Sequence, residues 1–248
     1  MAAVATTSSP RFTNSARDLR PLSERVYEQL RDQIVTGELP ADSKVHQEAV
    51  AAEMGVSRTP VREALSRLAQ EDLVTLVPGN GYLVNELLDE DVSNVYEVRQ
   101  SLEVSAARLA CRHHNRLSIA RLEVLVEEMR AADPSDASVQ FELNRRFHYA
   151  LNEPCGNPLM MKMIDALWDH PIHRRITTAY IQGGDNTAET VAEHCAIVDA
   201  VRANDEALLV DIMTKHLTVR EDLMDAVHAH QGRPSPHVSE ATGLPGSS

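Results

Sequence analysis

Residues 55–68 read GVSRTPVREALSRL, and this stretch decides the architecture of the front of the chain. Gly55 permits a tight turn before a helix. Ser57 or Thr59 can cap that helix, and Pro60 suits a first turn whose N–H groups have no internal partner. Four apolar residues then recur at helical spacing: Val61, Ala64, Leu65 and Leu68. The pattern predicts an amphipathic helix with one buried stripe.

The leading end of this helix carries two arginines on a different face. Arg58 and Arg62 are four residues apart, near a helix N-terminus whose unpaired N–H groups favour a phosphate. Four polar side chains at this end predict a surface that meets a polyanion: Ser57, Arg58, Thr59 and Arg62. The alternative interpretation is a solvated helix face on which Glu63 pairs with Arg67.

The flanking sequence predicts a winged helix-turn-helix over residues 20–85. Apolar periodicity and turn residues predict, in chain order, helices over 22–36 and 46–54, the helix just described, and strands over 73–77 and 82–85. The two strands enclose a glycine-rich turn, PGNG, which is typical of a β-hairpin. In such a domain the later helix of the pair takes the reading position in a DNA groove.

The same stretch resembles the signature of the GntR family of bacterial transcription regulators. Residues 56–65, VSRTPVREAL, nearly spell out that signature, and residues 37–39, GEL, fit an earlier part of it. The resemblance implies that Arg58 and Arg62 reach base edges and that Thr59 contacts the DNA backbone. A forked guanidinium can pair with O6 and N7 of guanine, which is consistent with that role.

The wing tip departs from the pattern of this family. Many of its members carry basic residues there, whereas in this chain the uncharged Asn80 lies between Gly79 and Gly81. We expect the wing to approach the minor groove closely through its glycines, with little electrostatic attraction.

The net charge of −13 at pH 7 is unusual for a nucleic-acid-binding protein. Residues 20–85 hold seven Lys/Arg and ten Asp/Glu, whereas residues 86–248 hold fifteen and twenty-six. Most of the negative charge therefore lies outside the predicted DNA-binding domain. We expect weak non-specific affinity, salt-sensitive association and selectivity for a particular DNA site.

The composition predicts a cytoplasmic protein. No run of about 18 apolar residues predicts a membrane span, and the first residues lack the basic and apolar regions of a signal peptide. Cys111, Cys155 and Cys195 form an odd, sparse set without a CxxC pair. This set indicates a reducing compartment and disfavours a thiolate zinc site.

Beyond the hairpin the pattern is helical, so the predicted fold class is mainly α. Residues 1–19 are expected to be disordered, residues 86–91 to form an acidic linker and residues 230–248 to form a flexible tail. The domain between them, residues 92–229, is predicted to be an all-helical bundle of six to seven helices. The candidate helices cover 92–114, 118–132, 138–152, 158–180, 187–203 and 206–229.

Three of these helices each place a histidine on an apolar face: His148, His194 and His216. Asn144 lies one turn before His148 on the same face. A single histidine in such a position is more often a hydrogen-bonded core residue than a ligand. Three of them with an oxygen donor make a metal site an equal alternative, because three unconnected buried imidazoles would each need separate hydrogen-bond partners.

Residues 92–228 resemble the FCD domain, the helical effector-binding module of the FadR subgroup of the GntR family. The matching residues are Val98-Arg99 with Leu102-Glu103 and Ala106-Ala107, Asn144 to His148 with Gly156-Asn157, Glu193-His194, and Lys215-His216-Leu217. Metal-binding members use an Asp four residues before a His, together with two further histidines. The resemblance implies a divalent metal ion, zinc, held by Asn144, His148, His194 and His216. Since Asn144 replaces the Asp, we expect weaker affinity or a shifted metal preference.

A metal ion with four protein ligands keeps positions open for a small carboxylate effector, the kind of ligand that many FCD regulators sense. Arg99 and Arg220 are the candidate partners for its charge, although Arg99 can alternatively form an ion pair with Glu103. Four other arginines are interpreted as surface residues: Arg145, Arg146, Arg174 and Arg175. His170 and His173 are interpreted as helix-end or pocket-lining groups.

These features indicate a transcription regulator and not an enzyme. We expect a homodimer that binds a palindromic operator, acts as a repressor and responds to an organic acid. Two alternatives remain open, a metal-dependent hydrolase and a sensor of the metal ion itself. The hydrolase is disfavoured because no Glu or Asp is an obvious general base on the histidine-bearing faces.

Overall fold

The computed structural model describes residues 20–183 and 187–233. The chain divides into two compact units between Glu86 and Leu87. The segment predicted to be disordered, residues 1–19, and most of the predicted tail lie outside the described residues. Within the described ranges, no helix is both long and apolar enough to cross a membrane.

The described part of the first unit combines three helices with a small antiparallel sheet. Its helices are α1 (Leu22–Val35), α2 (Gln47–Met54) and α3 (Arg58–Gln70). Its strands are β1 (Lys44–Val45), β2 (Val74–Val77) and β3 (Gly81–Val84), in the order β1-β3-β2. The predicted helix-turn-helix and hairpin are present. The prediction omits β1, because two residues are too short for an alternation pattern.

Two glycines make the turns of this unit possible. Gly55 ends α2 with a φ of 66°, in the left-handed region, and directs the chain into α3. At Gly81 an added Cβ would lie only 2.8 Å from the backbone oxygen of Val45. The close pairing of β1 with β3 therefore requires glycine at this position.

Helix α3 packs against α1 through the predicted apolar stripe. Seven side chains at this contact are almost fully buried: Val26, Leu30 and Ile34 from α1, and Val61, Ala64, Leu65 and Leu68 from α3. Full burial of a large apolar side chain contributes about 1.5–3 kcal/mol. This contact therefore fixes the inner face of α3 and leaves its opposite face at the surface.

A polar cluster around Tyr27 adds a second connection between α1 and α3. The guanidinium of Arg67 lies 3.6 Å from the ring centre of Tyr27 and pairs with Glu24 at 3.1 Å and Glu71 at 3.2 Å. The Tyr27 hydroxyl donates to Glu71 at 2.6 Å. Burial, together with the Glu71 carboxylate, raises the pKa of Tyr27 to about 12. Arg67 thus pairs with these two carboxylates instead of with Glu63.

The described part of the second unit is all-helical. Its helices are α4 (Asp89–Arg99), α5 (Ser105–Ala110), α6 (Arg116–Ala131), α7 (Ala137–Asn152), α8 (Pro158–Asp169), α9 (Pro171–Gln182), α10 (Thr187–Ala203), α11 (Glu206–His216) and α12 (Glu221–His230). A π-helical turn, Gln100–Val104, connects α4 to α5. The mainly helical fold class, with a winged helix-turn-helix followed by a helical bundle, is confirmed.

Two predicted helices are each divided in the structure. The helix predicted over 158–180 is broken at His170, because Pro171 disfavours helical backbone in the residue before it and starts α9. The helix predicted over 206–229 is broken between α11 and α12, where Arg220 has extended backbone. No Pro or Gly lies at this second break, so the helical periodicity continues through it.

The edges of the second unit also differ from the expectation. Helix α4 begins at Asp89 and Leu87 is buried, so the predicted linker at 86–91 is largely part of the folded unit. Helix α12 continues to His230, and the side chain of Gln231 bonds to the backbone of Leu87. The first residues of the predicted flexible tail are therefore ordered by contacts that the local composition does not reveal.

The main core of this unit lies between α6, α7, α10 and α11. Its most buried members include Leu122, Phe147, Leu151, Ile197, Leu209 and Met213. This packing turns the inner faces of α7, α10 and α11 towards one another. The three histidines of the sequence analysis lie on those faces.

Candidate metal centre and DNA-binding surface

The leading end of α3 is exposed. Ser57, Arg58, Thr59 and Arg62 all lie at the surface. Ser57 takes the N-cap position of α3, but its side chain makes no capping hydrogen bond, so the predicted capping role is not fulfilled by its hydroxyl. Arg58 occupies the first helical position, and its guanidinium lies 3.2 Å from Glu48 of α2. The groups predicted to contact DNA are therefore accessible on one surface of the first unit.

The predicted wing-tip residues lie between β2 and β3 and at the first position of β3. Gly79 and Asn80 are exposed, and nothing lies within 4 Å of a Cβ added at Gly79. Gly81, in contrast, is held against Val45 by the pairing of β1 with β3. Glycine at position 81 thus has a structural reason within the sheet, and its contact with DNA remains a prediction.

The structure brings His148 from α7, His194 from α10 and His216 from α11 to one point. Each offers one ring nitrogen such that the three atoms lie within 4.8 Å of one another. His148 and His194 are fully buried, and His216 is 9% exposed. The Nε2 atoms of His148 and His216 are 3.2 Å apart. Three imidazoles within this distance form a donor set that is consistent with a metal site.

Carboxylates fix the orientation of two of these rings. Nδ1 of His148 lies 2.6 Å from Oε2 of Glu103, and Nδ1 of His216 lies 2.6 Å from Oε2 of Glu193. A carboxylate that accepts from Nδ1–H places the lone pair of the neutral ring on Nε2. The two Nε2 lone pairs then face each other at 3.2 Å, an arrangement that a cation between them would stabilise. Carboxylate–histidine–metal triads have this pattern.

The third ring completes the donor set. Nδ1 of His194 lies 3.3 Å from the sulfur of Met129, and its Nε2 is buried with no hydrogen-bond partner among the described residues. The ring stacks on Phe147, with the two ring centres 4.0 Å apart. A buried ring nitrogen without a partner is costly. His194 therefore fits a ligand better than a hydrogen-bonded core histidine.

Burial keeps the rings of His148 and His194 neutral. It lowers the pKa of His148 to about 4, against the opposing effect of Glu103, and it lowers the pKa of His194 well below its usual value. Burial acts to raise the pKa of Glu103, but the charge of Arg99 and the hydrogen bonds from Arg99 and His148 outweigh it and lower that pKa. Neutral imidazoles and an ionised carboxylate are the protonation states that metal binding requires.

Asn144 lies on α7, four residues before His148. It lines the neighbouring cavity, and its Oδ1 is buried without a hydrogen-bond partner among the described residues. An amide oxygen that lacks a donor is suited to a cation. The three histidines are therefore consistent with a metal site, and Asn144 as a further ligand stays a prediction.

A cavity opens next to the triad, and both predicted effector-binding arginines line it. Nε of Arg99 donates to Glu103 at 2.9 Å, so the alternative ion pair is formed. Nη2 of Arg99 is buried and has no partner among the described residues. Arg99 is therefore compatible with both interpretations, the ion pair and the effector contact. Its Nε binds Glu103, and its Nη2 has no hydrogen-bond partner among the described residues.

Arg220 lines the same cavity but is surrounded by negative charge. It pairs with Glu193 at 2.9 Å, with Asp222 at 2.9 Å and with Glu189 at 3.2 Å, and it also donates to the Tyr180 hydroxyl. These partners raise the pKa of Arg220 in spite of partial burial, which acts in the opposite direction. Its charge is thus largely balanced within the protein.

Other polar residues agree only in part with the prediction. Arg175, interpreted as a surface residue, is only 3% exposed. His170 lies between α8 and α9 and His173 in the first turn of α9, so both are helix-end residues as predicted. His173 is in addition fully buried against Trp168, with ring centres 4.6 Å apart. Glu103 and Glu193 were not identified as ligand-orienting groups. Their spacing from the histidines is not regular along the chain, because the contacts connect different helices.

Comparisons with known proteins agree with this architecture. Residues 22–84 match the family described as "Bacterial regulatory proteins, gntR family", and residues 94–219 match the FCD domain. The chain is 25% identical to the HTH-type transcriptional regulator McbR of Escherichia coli over 209 residues, which are 80% of this chain and 92% of McbR. It is 24% identical to the HTH-type transcriptional repressor GlaR of the same species, over 77% of this chain and 90% of GlaR.

A solved structure shows the same fold. The structure of E. coli McbR/YncC matches with a TM-score of 0.58 and 23% identity, over 86% of this chain and 99% of that chain. The family assignment excludes the hydrolase alternative, since it identifies a transcription regulator and not an enzyme. The chain belongs to the GntR family, with an N-terminal GntR helix-turn-helix and a C-terminal FCD domain, as in the FadR-like subgroup.

Proposed function

We propose that this regulator is a repressor which binds a palindromic operator as a homodimer and is controlled by a divalent metal ion and a small carboxylate in its FCD domain. One observation carries the proposal: three imidazole nitrogens converge beside a cavity that Arg99 lines, and Nη2 of Arg99 is buried without a hydrogen-bond partner among the described residues. A binding site of this kind, in a chain that also carries a helix-turn-helix, supports a ligand-controlled DNA switch.

The metal ion is held by His148, His194 and His216, with Asn144 as the oxygen ligand. Imidazole nitrogens suit zinc and its neighbours among the divalent ions, and zinc commonly retains an open position beside three or four protein ligands. Glu103 and Glu193 support the site, because each orients one ligand ring.

The effector is a small organic acid whose carboxylate binds at the metal ion. Arg99 lines the cavity, its Nη2 is buried without a hydrogen-bond partner among the described residues, and a guanidinium is well suited to a carboxylate. Arg220 contributes less, since three carboxylates already surround it. Arg99 is therefore the main cationic partner in this proposal.

DNA binding is assigned to the leading end of α3 and to the wing tip. Arg58 and Arg62 read base edges, Ser57 and Thr59 contact the backbone, and the tip of the wing enters the minor groove. A homodimer places two such surfaces on two half-sites of a palindrome. The related GlaR is named a transcriptional repressor, which supports the same sign of regulation here.

A second candidate is a sensor of the metal ion itself. It is favoured by the balanced charge of Arg220, which leaves a single partly free cation in the described lining of the cavity. The two candidates share the metal site and differ in whether an organic acid is needed to release DNA.

The test combines metal analysis with DNA binding by the full chain. We expect about one zinc ion per chain by elemental analysis, and its loss in His194→Ala. His113→Ala, which changes an exposed histidine, is the matched control and should retain the metal. A gel shift with the DNA upstream of the gene should show a sequence-specific dimer complex that small organic acids release. Release by zinc alone would support the metal sensor, and a lack of specific binding at low salt would contradict the proposal.

A further inference from the structure

The candidate metal centre is connected to helix α12 by a single carboxylate. Glu193 accepts from Nδ1 of His216 through Oε2 at 2.6 Å and from Nη1 of Arg220 through Oε1 at 2.9 Å. Arg220 is the N-cap residue of α12. The acceptor of His216 is therefore also an acceptor of the N-cap residue of α12.

The N-terminal end of α12 is bonded firmly to the cavity wall. Arg220 donates from Nη2 to Asp222 at 2.9 Å, within the first turn of α12, and also to the hydroxyl of Tyr180 on α9. Leu223, one turn further on, is buried and lines the same cavity. The first turn of α12 therefore forms part of the cavity wall.

The middle of α12 packs tightly against α9 and α4. A Cβ added at Gly183, just after α9, would lie 2.5 Å from Cβ of Ala226. Val227 is fully buried in a cluster that also contains Ile176 of α9 and Val92 of α4. Tightly packed helices move as rigid bodies rather than deform, so a displacement at one end of α12 reaches the other end.

The C-terminal end of α12 holds the first residues of the second unit. Oε1 of Gln231 accepts from Leu87 N–H at 2.7 Å, and its Nε2 donates to the Leu87 carbonyl at 3.0 Å. Nε2 of His228 lies 2.7 Å from Oδ1 of Asp89. Leu87 directly follows Glu86, the last residue of the DNA-binding unit. Thus one ten-residue helix, roughly 15 Å long, joins the metal-site rim to the segment where the two units meet in the chain.

We infer that α12 is the element that transmits metal occupancy from the histidine triad to residues 87–89, through the path His216, Glu193, Arg220, α12 and Gln231. The inference rests on the proposed function, because it requires an ion at the triad. It adds a specific output: binding at the triad changes the stability of the hydrogen bonds between Gln231 and Leu87, the first residue of the second unit. The histidine triad and the Leu87–Gln231 contact are thus energetically coupled, and α12 is the element that connects them.

The test uses the full chain with Zn²⁺ alone as the probe. Hydrogen exchange is followed by mass spectrometry in peptides that cover residues 84–92, with and without zinc, and zinc affinity is measured by chelator competition. Gln231→Ala removes both hydrogen bonds to Leu87, whereas the isosteric Gln231→Glu keeps only the acceptor. Glu221→Gln, on the exposed side of the first turn of α12, is the matched control.

In the wild-type protein and in Glu221→Gln, zinc should slow exchange of these amides by about ten-fold, the scale of two hydrogen bonds. In Gln231→Ala the slowing should be lost, and zinc affinity should fall by up to about ten-fold, because the coupling between the two sites is reciprocal. Gln231→Glu should lie between the two.

Two outcomes would overturn the inference while the metal site stands: zinc that binds without any effect on residues 84–92, or an effect of equal size in Gln231→Ala. A wild-type protein that binds no zinc would instead overturn the metal part of the proposed function, and with it the inferred role of α12. The affinity measurement separates these cases. Circular dichroism and the thermal midpoint of each variant show that the fold is retained.

Discussion

Nε2 of His148 lies 3.2 Å from Nε2 of His216, and each ring binds a carboxylate through its other nitrogen. Two unprotonated ring nitrogens at this distance repel each other unless a cation lies between them. Glu103 and Glu193 enforce the arrangement, since they fix which nitrogen carries the proton. The geometry is therefore prepared for an ion before the ion binds.

Replacing the carboxylate behind His148 should weaken metal binding. Glu103→Gln preserves the shape of the side chain but removes the negative charge that orients His148 and raises its basicity. We expect zinc affinity to fall by about 10–100-fold, measured by competition with a chromogenic chelator. The control is Glu153→Gln, a half-exposed glutamate that pairs with Arg121 at the surface. An unchanged affinity in Glu103→Gln would mean that His148 does not bind the ion through Nε2.

Introducing a carboxylate at position 144 should strengthen metal binding. Oδ1 of Asn144 is buried and unpartnered among the described residues, so an aspartate oxygen at this site would add a negative charge near the ion. Asn144→Asp should raise zinc affinity by about ten-fold, one step of roughly 1.4 kcal/mol. In the absence of metal the same change should lower the thermal midpoint, because a buried carboxylate without a cation is costly. Equal affinities for the two proteins would remove Asn144 from the ligand set.

Truncation of the α3 arginines should abolish selective DNA binding. Arg58→Ala and Arg62→Ala should each cost about 1–3 kcal/mol of base discrimination, measured by fluorescence anisotropy with operator and scrambled duplexes. Arg112→Ala, an exposed arginine of the second unit, is the control and should bind as the wild type does. Equal loss on the operator and on the scrambled duplex would assign these arginines to phosphate contacts instead of base contacts.

The metal-free protein should lose stability as the pH falls. Burial lowers the pKa of His148 to about 4 and the pKa values of His173 and His194 well below 6.5. Below pH 6.5 the unfolded chain therefore binds protons that the native chain does not. Each such histidine contributes a slope of about 1.4 kcal/mol per pH unit.

Urea unfolding in the presence of a chelator, at pH 7.5, 6 and 5, measures this slope. His173→Leu removes one buried titrating group that is not in the candidate ligand set, and it should flatten the slope by about 1.4 kcal/mol per pH unit. A stability that is constant from pH 7.5 to pH 5 would show that these rings are not buried in their neutral form.

Tight packing at Gly183 should make this position intolerant of a side chain. Its added Cβ would lie 2.5 Å from Cβ of Ala226 and 3.1 Å from the Ala179 carbonyl. Gly183→Ala should therefore lower the free energy of unfolding by about 1–3 kcal/mol. The double variant Gly183→Ala with Ala226→Gly removes the shorter contact and should recover part of that loss. Additive effects of the two changes would contradict a direct contact between α12 and the end of α9.

Much of the fold follows from short-range signals. Residues 55–68 contain a turn glycine, a proline at the start of a helix and an apolar stripe, so α3 and its surroundings are predictable from local chemistry. The break at Pro171 also follows from local chemistry, because proline starts a new helix there, although the predicted helix over 158–180 continued through this position. The break before α12 carries no such signal. There the chain turns because Leu223 and Val227 pack against α4 and α9, a gain that outweighs helical continuity.

The sequence by itself determined the helix-turn-helix, the helical class of the second unit and the three histidines, because each of these depends on residue type and spacing along one element. Only the tertiary structure decided that Glu103 and Glu193 accept hydrogen bonds from two of those histidines. The same is true of the unpartnered Nη2 of Arg99 and of the hydrogen bond between Gln231 and Leu87. These contacts join helices far apart in the chain. Their partners are chosen by packing, which no local pattern records.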